Sequence, residues 1–233
     1  MNAVKTIKSE QTKANILQTA VRLFRERGYE ETTMRAIADE AGVSLGNAYY
    51  YFKSKDELVH HFYAHLQEQA LAACEGVLLV ETNLRARLVG IIRAQLAVAL
   101  PYQGIFVSLF RIAADPRNEL NPFHEKTAAI RNSCLRRFDQ VLAGAKEKVP
   151  DDLATELPYL FWLYHLSIVL FWIYDHSPGF VRTFRLLELS SELIVSLIKM
   201  AALPVLQPMR KSVLRILANL KTLEPSKEAR YEA

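Results

Sequence analysis

Cysteine is scarce: Cys74 and Cys134 are the only two in a chain of 233 residues. Two thiols exclude a disulfide framework and a cysteine-built zinc site, and they suit a reducing intracellular compartment. Glycine (8) and proline (9) are also few, which excludes a collagen-like or linker-dominated chain. No alternating apolar–polar run is bounded by Asn-Gly or Asp-Gly, so strand signals are nearly missing. Residues 1–15 hold no apolar h-region, so no secretory signal is expected. G-x-S-x-G, P-loop, H-E-x-x-H and dinucleotide fingerprints are missing too, which argues against an enzyme. No cofactor is expected.

What is present is apolar and helical. Hydrophobic residues make up 51% and charged residues 23%, which excludes a disordered chain. The net charge of +4 is unevenly spread. Residues 1–27 carry six basic groups against two acids, and residues 28–60 carry three against six. Residues 61–199 balance, and residues 200–233 carry six against three. The basic start, with Lys5, Lys8 and Lys13, is a candidate for added phosphate attraction.

The longest uncharged run is 157–174, 18 residues that would span ~27 Å as a helix. It contains Pro158, His165 and Ser167, is flanked by Glu156 and Asp175, and has no Lys/Arg-rich flank. A helix buried in a protein core is expected, and no membrane partner.

The periodicity predicts an all-α protein of about nine or ten helices. The first runs over about 9–27, closed by Gly28 as C-cap. Thr33 is the expected N-cap of a short second helix, and Ser44 of a short third. Ser54-Lys55-Asp56-Glu57 has the form of a capping box opening a long fourth helix, from 56 towards 74. Further helices are expected near 82–99, 102–114, 122–146, 152–175, 180–201 and 205–222. Pro101 and Pro122 suit first turns, and Asp115-Pro116 and Ser177-Pro178-Gly179 are breakers. The expected division is an N-terminal domain over 1–60, a larger helical domain over 61–223, and a flexible tail over 224–233.

The segment 28–58 carries the chemistry. Two short helices joined by Ala41-Gly42-Val43 form a helix-turn-helix pattern, with Gly42 at a turn position suited to positive φ. Ile37, Ala38, Val43, Ala48 and Phe52 can pack the two helices together. Ser44, Leu45, Gly46 and Asn47 then occupy the first turn of the third helix, where such proteins meet base edges. Asn47 carries a donor and an acceptor, Gly46 permits close backbone approach, and Leu45 offers apolar contact. Tyr49, Tyr50 and Tyr51 can reach phosphate oxygens, and Lys55 can clamp one.

This stretch resembles the DNA-binding domain of the TetR family of bacterial transcriptional regulators. The resemblance covers about residues 12–60. It is carried by Gly28-Tyr29, Thr32-Thr33, Ile37-Ala38, Ala41-Gly42-Val43-Ser44, Gly46, Tyr49, Tyr51-Phe52, Ser54-Lys55 and Leu58. It implies that Thr33, Tyr50 and Lys55 contact phosphates, that Leu45, Gly46 and Asn47 face bases, and that Tyr49 and Tyr51 touch backbone or sugar. One position departs. The family often has an acid where Ala36 stands, so Thr33 lacks a capping-box partner. The resemblance further implies a homodimer with a helical C-terminal domain that binds a small-molecule effector.

Beyond residue 60 the residues leave alternatives. His61 and His65 are i,i+4 neighbours beside His60, with Glu57 one turn earlier; a polar helix face is the plainer reading, and no metal is expected. Tyr102, Phe106 and Phe110 share one helix face, and Trp162 and His165 lie in the long apolar run. These five are ordinary core or the lining of an effector pocket, which would then suit a lipophilic or aromatic ligand. Phe180, Phe184, Leu187, Ser191, Ile194 and Ile198 form one seam of the penultimate helix, and Leu186, Leu189, Leu193 and Leu197 a second. A helix with two apolar edges needs two neighbours, and the second is expected to be another subunit. Phe171, Phe184, Leu187, Ile194 and Ile198 are the expected dimer contacts. The last helix sets Arg210, Lys211, Arg215 and Lys221 against Val213, Leu214, Leu217 and Leu220, as a surface helix does. An anionic-surface contact is the alternative.

The reading is a cytoplasmic, ligand-responsive repressor that binds a palindromic duplex operator as a dimer. The alternative is a helical protein-docking or membrane-associated module.

Overall fold

A computed structural model describes residues 2–222 and the side chains of residues 8–218. The side chains of Lys5, Leu220 and Lys221 and the tail 224–233 lie outside the described residues. Eleven α-helices and no strand occur among those described. They are α1 (Asn2–Arg27), α2 (Met34–Glu40), α3 (Leu45–Tyr51), α4 (Lys55–Val80), α5 (Leu84–Ala99) and α6 (Gln103–Ala113). There follow α7 (Ala128–Ala143), α8 (Asp151–Ala154), α9 (Leu157–Ile173), α10 (Val181–Ala201) and α11 (Gln207–Thr222).

The chain forms two compact units that interleave in sequence. The first joins Met1–Glu75 with Ala94–Ser133, and the second joins Gly76–Arg93 with Cys134–Ala233. Helices α4, α5 and α7 each contribute to both.

In the first unit one core holds Ile16, Ala20, Leu23 and Phe24 of α1, Ile37 and Ala38 of α2, Ala48 of α3, and Leu58, Val59 and Phe62 of α4. The same core takes in Ile105 and Leu109 of α6 and Leu120 beyond it. Helix α1 packs on α6 and on α2, so the helix-turn-helix and α6 share a single apolar cluster. Gly42 has φ 67 and Gly28 φ 84, conformations that suit glycine at the turn and at the α1 C-cap. Asn15 of α1 donates to the Ala41 carbonyl at 2.9 Å, and Arg22 pairs with Glu40 at 2.6 Å, so α1 ties down the end of α2.

The helix expected over 122–146 begins only at Ala128. From Asp115 to Lys126 side chains take the backbone amides that a helix would use. Arg117 N donates to Asp115, Leu120 N to Asn118, Phe123 N to Asn121 and Lys126 N to His124, all at 2.8–3.1 Å. Such i→i+2 turns compete with helix formation. Pro122 lies among them rather than in a first helical turn.

In the second unit the helix expected over 152–175 is two helices, α8 and α9. Pro158 sits in the first turn of α9, where its missing N–H costs nothing, and the chain restarts there. Leu157, Pro158, Phe161, Trp162, His165, Ile168, Trp172 and Ile173 of α9 are buried, so one side of the uncharged run is core. Helix α4 runs past Gly76 to Val80 because its end is capped from outside. Arg87 donates to Leu78 O and Glu81 O near the end of α4 and to Gln140 O and Val141 O near the end of α7. A Cβ at Gly144 would lie 2.2 Å from the Arg87 guanidinium, so glycine is needed there for space.

Helices α9 and α10 pack through small polar residues. Tyr164 Oη lies 2.7 Å from Ser190 Oγ and 3.0 Å from Ser191 Oγ, and donates to Leu187 O at 3.2 Å. The turn between them is held by Asp175, which accepts from the amide and hydroxyl of both Ser177 and Thr183. Phe180 there adopts φ 56, unusual for a bulky residue, with its ring 6.0 Å from Trp172.

Candidate nucleic-acid interface

Helix α3 stands on a buried base. Ala48 and Phe52 are fully buried, while Ser44, Gly46, Asn47, Tyr49 and Tyr50 are exposed. Ser44 Oγ accepts from Asn47 N at 3.1 Å, so the N-cap that starts the helix also sets the position of Asn47. Thr33 caps α2 in the same way, accepting from Ala36 N at 3.1 Å. Alanine at 36 removes only the reciprocal half of a capping box.

The three tyrosines differ. Tyr50 is 71% exposed, and its ring meets Tyr51 edge-on at 5.1 Å. Tyr51 is half-buried, its hydroxyl 3.0 Å from Ser9 Oγ. Leu45 is half-buried against the core, which leaves part of its side chain for an outside partner. Exposed Asn47 and Gly46 beside it complete one surface.

Lys55 is tied inward. Its Nζ donates to Tyr29 O at 2.7 Å and Glu30 O at 3.4 Å, and it lies 4.3 Å from the centre of the Tyr29 ring. Tyr29 in turn donates to Asp56, and burial, with that carboxylate, raises the phenol pKa. The fourth helix's capping box is shifted by one residue: Glu57 N donates to Ser54 Oγ at 3.1 Å, but Glu57 accepts from Lys53 N rather than from Ser54.

Lys53 went unremarked in the sequence. It is exposed and donates to Tyr49 O at 3.0 Å and Tyr50 O at 3.4 Å, placing a cation at the C-terminal end of α3. Its spacing of four from Tyr49 is the signal that could have found it. Lys8 is exposed, whereas Lys13 lies 5.8 Å from the Phe52 ring.

The histidines at the start of α4 take separate surroundings. His61 meets Phe52 edge-on, His65 lies 3.0 Å from Gln69, and burial lowers the pKa of both His60 and His61. No group of three or more His, Cys, Asp or Glu residues is placed to hold a metal among the described residues.

The expected pocket residues fall in two units. Tyr102 and Phe106 gather around Phe62, at 5.1 and 6.5 Å, with Phe110 on the same helix. Trp162 and His165 belong to the second unit and are buried there.

The expected dimer seam requires correction. Leu187 and Ile198 are buried inside the chain's own core, Ile194 and Phe184 are half-buried, and Arg93 covers the Phe184 ring at 4.6 Å. Of those five residues only Phe171 is exposed. The small side chains of Thr183 and Ser191 let α10 press this edge inward. The outward edge is the other one, Leu186, Leu189, Leu193 and Leu197 with Met200; Leu170 and Phe171 of α9 and its C-cap Tyr174 are exposed as well. On α11, Arg210 is folded onto Asp152 and Ala201 O, and Val213 faces outward instead.

Two short capped helices joined by a turn at Gly42, the second exposed along its first turn, define a helix-turn-helix. Residues 16–62 match the bacterial regulatory proteins of the tetR family, and residues 87–213 match the tetracyclin repressor-like C-terminal domain. The chain belongs to the TetR family of transcriptional regulators.

It is 29% identical over 108 residues to the HTH-type transcriptional repressor KstR2 of Mycolicibacterium smegmatis, covering 46% of this chain and 52% of the relative. It is 40% identical over 60 residues to the regulator TtgR of Pseudomonas putida, covering 26% of this chain and 29% of the relative. The chain thus spans about half the length, or less, of these curated relatives. Among solved structures, a putative TetR-family regulator from Syntrophomonas wolfei aligns with TM-score 0.61 at 17% identity, over 84% of this chain and 98% of that one. The regulator FadR of Bacillus subtilis, in complex with stearoyl-CoA, aligns with TM-score 0.57 at 19% identity, over 75% and 96%. These likenesses are of fold.

Proposed function

We propose that this regulator is a cytoplasmic repressor that binds a palindromic operator as a homodimer and is released by a small lipophilic or aromatic effector. The observation that carries the DNA reading is the exposed first turn of α3, with Asn47 held by its own N-cap above a fully buried Ala48. Asn47 and Gly46 read base edges, with the outer part of Leu45 against a thymine methyl. Thr33, Ser44, Tyr49, Tyr50 and Lys55 contact the sugar-phosphate backbone, and Tyr51 steadies Tyr50. Lys53 adds a phosphate contact. The DNA-binding part ends near residue 60, and the rest serves effector binding and dimerisation.

The outward apolar edge of α10 beside α9 supports the dimer, since two such pairs would close into a four-helix interface. Two-fold symmetry sets the half-sites about 34–36 Å apart, or a multiple of that. An effector bound in the helical C-terminal part favours a state with the wrong separation between recognition helices. Its differential affinity for the two states supplies a coupling of about 1–3 kcal/mol. The buried aromatics Phe161, Trp162 and Trp172 of α9, the half-buried Phe106 and Phe110 of α6, and a neighbour of the same fold that holds stearoyl-CoA support a lipophilic effector.

Capture of genomic fragments by the purified protein, followed by sequencing, tests the reading. A palindromic site bound by two copies is expected; no enriched sequence would overturn it. A second reading, a membrane-associated module, is favoured by the run Leu84–Ala113, which has the length and composition of a membrane span. Recovery of the protein in the membrane fraction, without duplex binding, would select it.

A further inference from the structure

Helix α11 is fixed to its own chain on one side only. Arg210 Nε donates to Asp152 of α8 at 3.0 Å, and its Nη1 donates to Ala201 O at 2.6 Å. Leu206, Leu214 and Leu217 share that half-buried side. The chain bends by 91° between Pro178–Ala201 and Pro204–Ala218, so α11 turns off the end of α10. A second apolar side is left open. Val205, Met209, Val213 and Ile216, at i, i+4, i+8 and i+11, fall on one face and are 48–80% exposed. A helix with one neighbour is usually polar away from it. This one carries about three turns of open apolar surface. Through exposed Leu203 and Met200 that surface continues into the outward edge of α10. Its borders do not suit an anionic membrane. Around the helix axis uncharged Pro208 and Ser212 flank the stripe, and Lys211 and Arg215 lie beyond them.

The same chain carries further open apolar surface at the other end of α10. Tyr164 meets Leu187, Ser190 and Ser191, and Trp172 meets Phe180, so α9 and α10 run antiparallel. Their connecting turn therefore lies at the end remote from α11. Phe171, Tyr174 and Val181 are exposed there. Within one copy the 21 residues of α10, ~30 Å of helix, keep the turn and α11 apart. The outward edge of α10 runs from Leu186 to Met200 and is centred on Leu193. A two-fold axis crossing it there sets α10 antiparallel to its counterpart, and every contact occurs twice. Each α11 then shares an end of the assembly with the turn of the other copy.

We infer that α11 is a clasp, and that its stripe of Val205, Met209, Val213 and Ile216 packs on the α9–α10 turn of a second copy of this chain. The interface then extends beyond the four helices α9 and α10 onto the corner where α11 leaves α10. This inference rests on the proposed dimer, and adds to it the segment that α11 covers.

The test places a photoreactive benzophenone side chain at position 209 of the full chain. After irradiation the linked peptides are identified, with isotope-labelled and unlabelled copies mixed so that links between copies are recognised. A covalent dimer joined to residues 170–181 of the other copy is expected. A link to α11 of the other copy, or links only within one copy, would overturn the clasp; if sedimentation still shows a dimer, the dimer reading stands. A wild type that sediments as a monomer would overturn both. Met209→Glu should raise the dimer dissociation constant at least roughly tenfold, since it buries an unpaired carboxylate. Lys211→Glu, away from the stripe, should change it by less than about twofold. No effect of Met209→Glu, or an equal effect of both, would overturn the clasp. So would flotation of the wild type, but not of Met209→Glu, with phosphatidylglycerol vesicles, which would assign the stripe to a membrane.

Discussion

Lys55 and Tyr29 are joined twice, by a hydrogen bond from Nζ to the Tyr29 carbonyl at 2.7 Å and by the ammonium's seat 4.3 Å from the ring centre. Within the protein, the lysine expected to clamp a phosphate also holds the loop that leads into α2. An ammonium has three donors, and two carbonyls are its partners here, which leaves one for an outside oxygen. Lys55→Ala should weaken binding to every duplex and lower the slope of log affinity against log salt by about 0.9. A weaker complex with an unchanged slope would reduce Lys55 to a loop tie.

Asn47→Ala removes a donor and an acceptor from the exposed turn of α3 without touching the core beneath. Operator preference should relax at one or two positions, by about 1–3 kcal/mol. Selection from a random duplex library reads this directly, and an unaltered profile would take Asn47 off the reading surface.

Leu189 and Leu187 are two residues apart and do opposite work. Leu189 is 56% exposed and Leu187 is fully buried. Leu189→Glu should leave a folded monomer in sedimentation and abolish high-affinity operator binding. Leu187→Ala should instead cost about 2–5 kcal/mol of stability in denaturant unfolding. A dimer that survives Leu189→Glu would place the interface elsewhere.

Asp175 collects four donors at the turn before α10. Burial alone would raise its pKa; the hydroxyls and amides of Ser177 and Thr183 overcome this and hold it well below the usual carboxylate range. A depressed folded-state pKa gives stability that is present above the unfolded value, about 3.9, and is lost as pH falls towards the folded one. Asp175→Asn should therefore cost roughly 3 kcal/mol near neutrality and flatten the loss of stability below about pH 4. Urea titrations across pH check both.

Gly144→Ala drives a methyl into the Arg87 guanidinium, which caps the ends of α4 and α7. A loss of about 1–3 kcal/mol is expected. Pairing it with Arg87→Met should give less than the sum of the two effects, because both act on the same cap.

Much of the N-terminal architecture was legible because its signals are local. Gly28 and Gly42 announce positive φ, and Thr33, Ser44 and Ser54 announce helix starts; each needs only neighbours along the chain. The missed start at 122 failed for a related reason. Asn118, Asn121 and His124 bind their own backbone two residues on, a competition that apolar periodicity does not register.

By itself, then, the sequence determined an all-helical chain with a capped helix-turn-helix and the residues of its exposed turn. Backbone hydrogen bonding and cap chemistry act over a few residues and leave a readable pattern. Only the tertiary structure decided which edge of α10 faces outward, since two apolar edges of one helix are equivalent until Ser191 and Thr183 meet a neighbour. It also decided that Lys55 bends onto Tyr29, that Arg87 closes two helices, and that His165 is buried against Phe138. These depend on contacts between residues distant in the chain, where packing geometry and desolvation, rather than residue type, set the outcome.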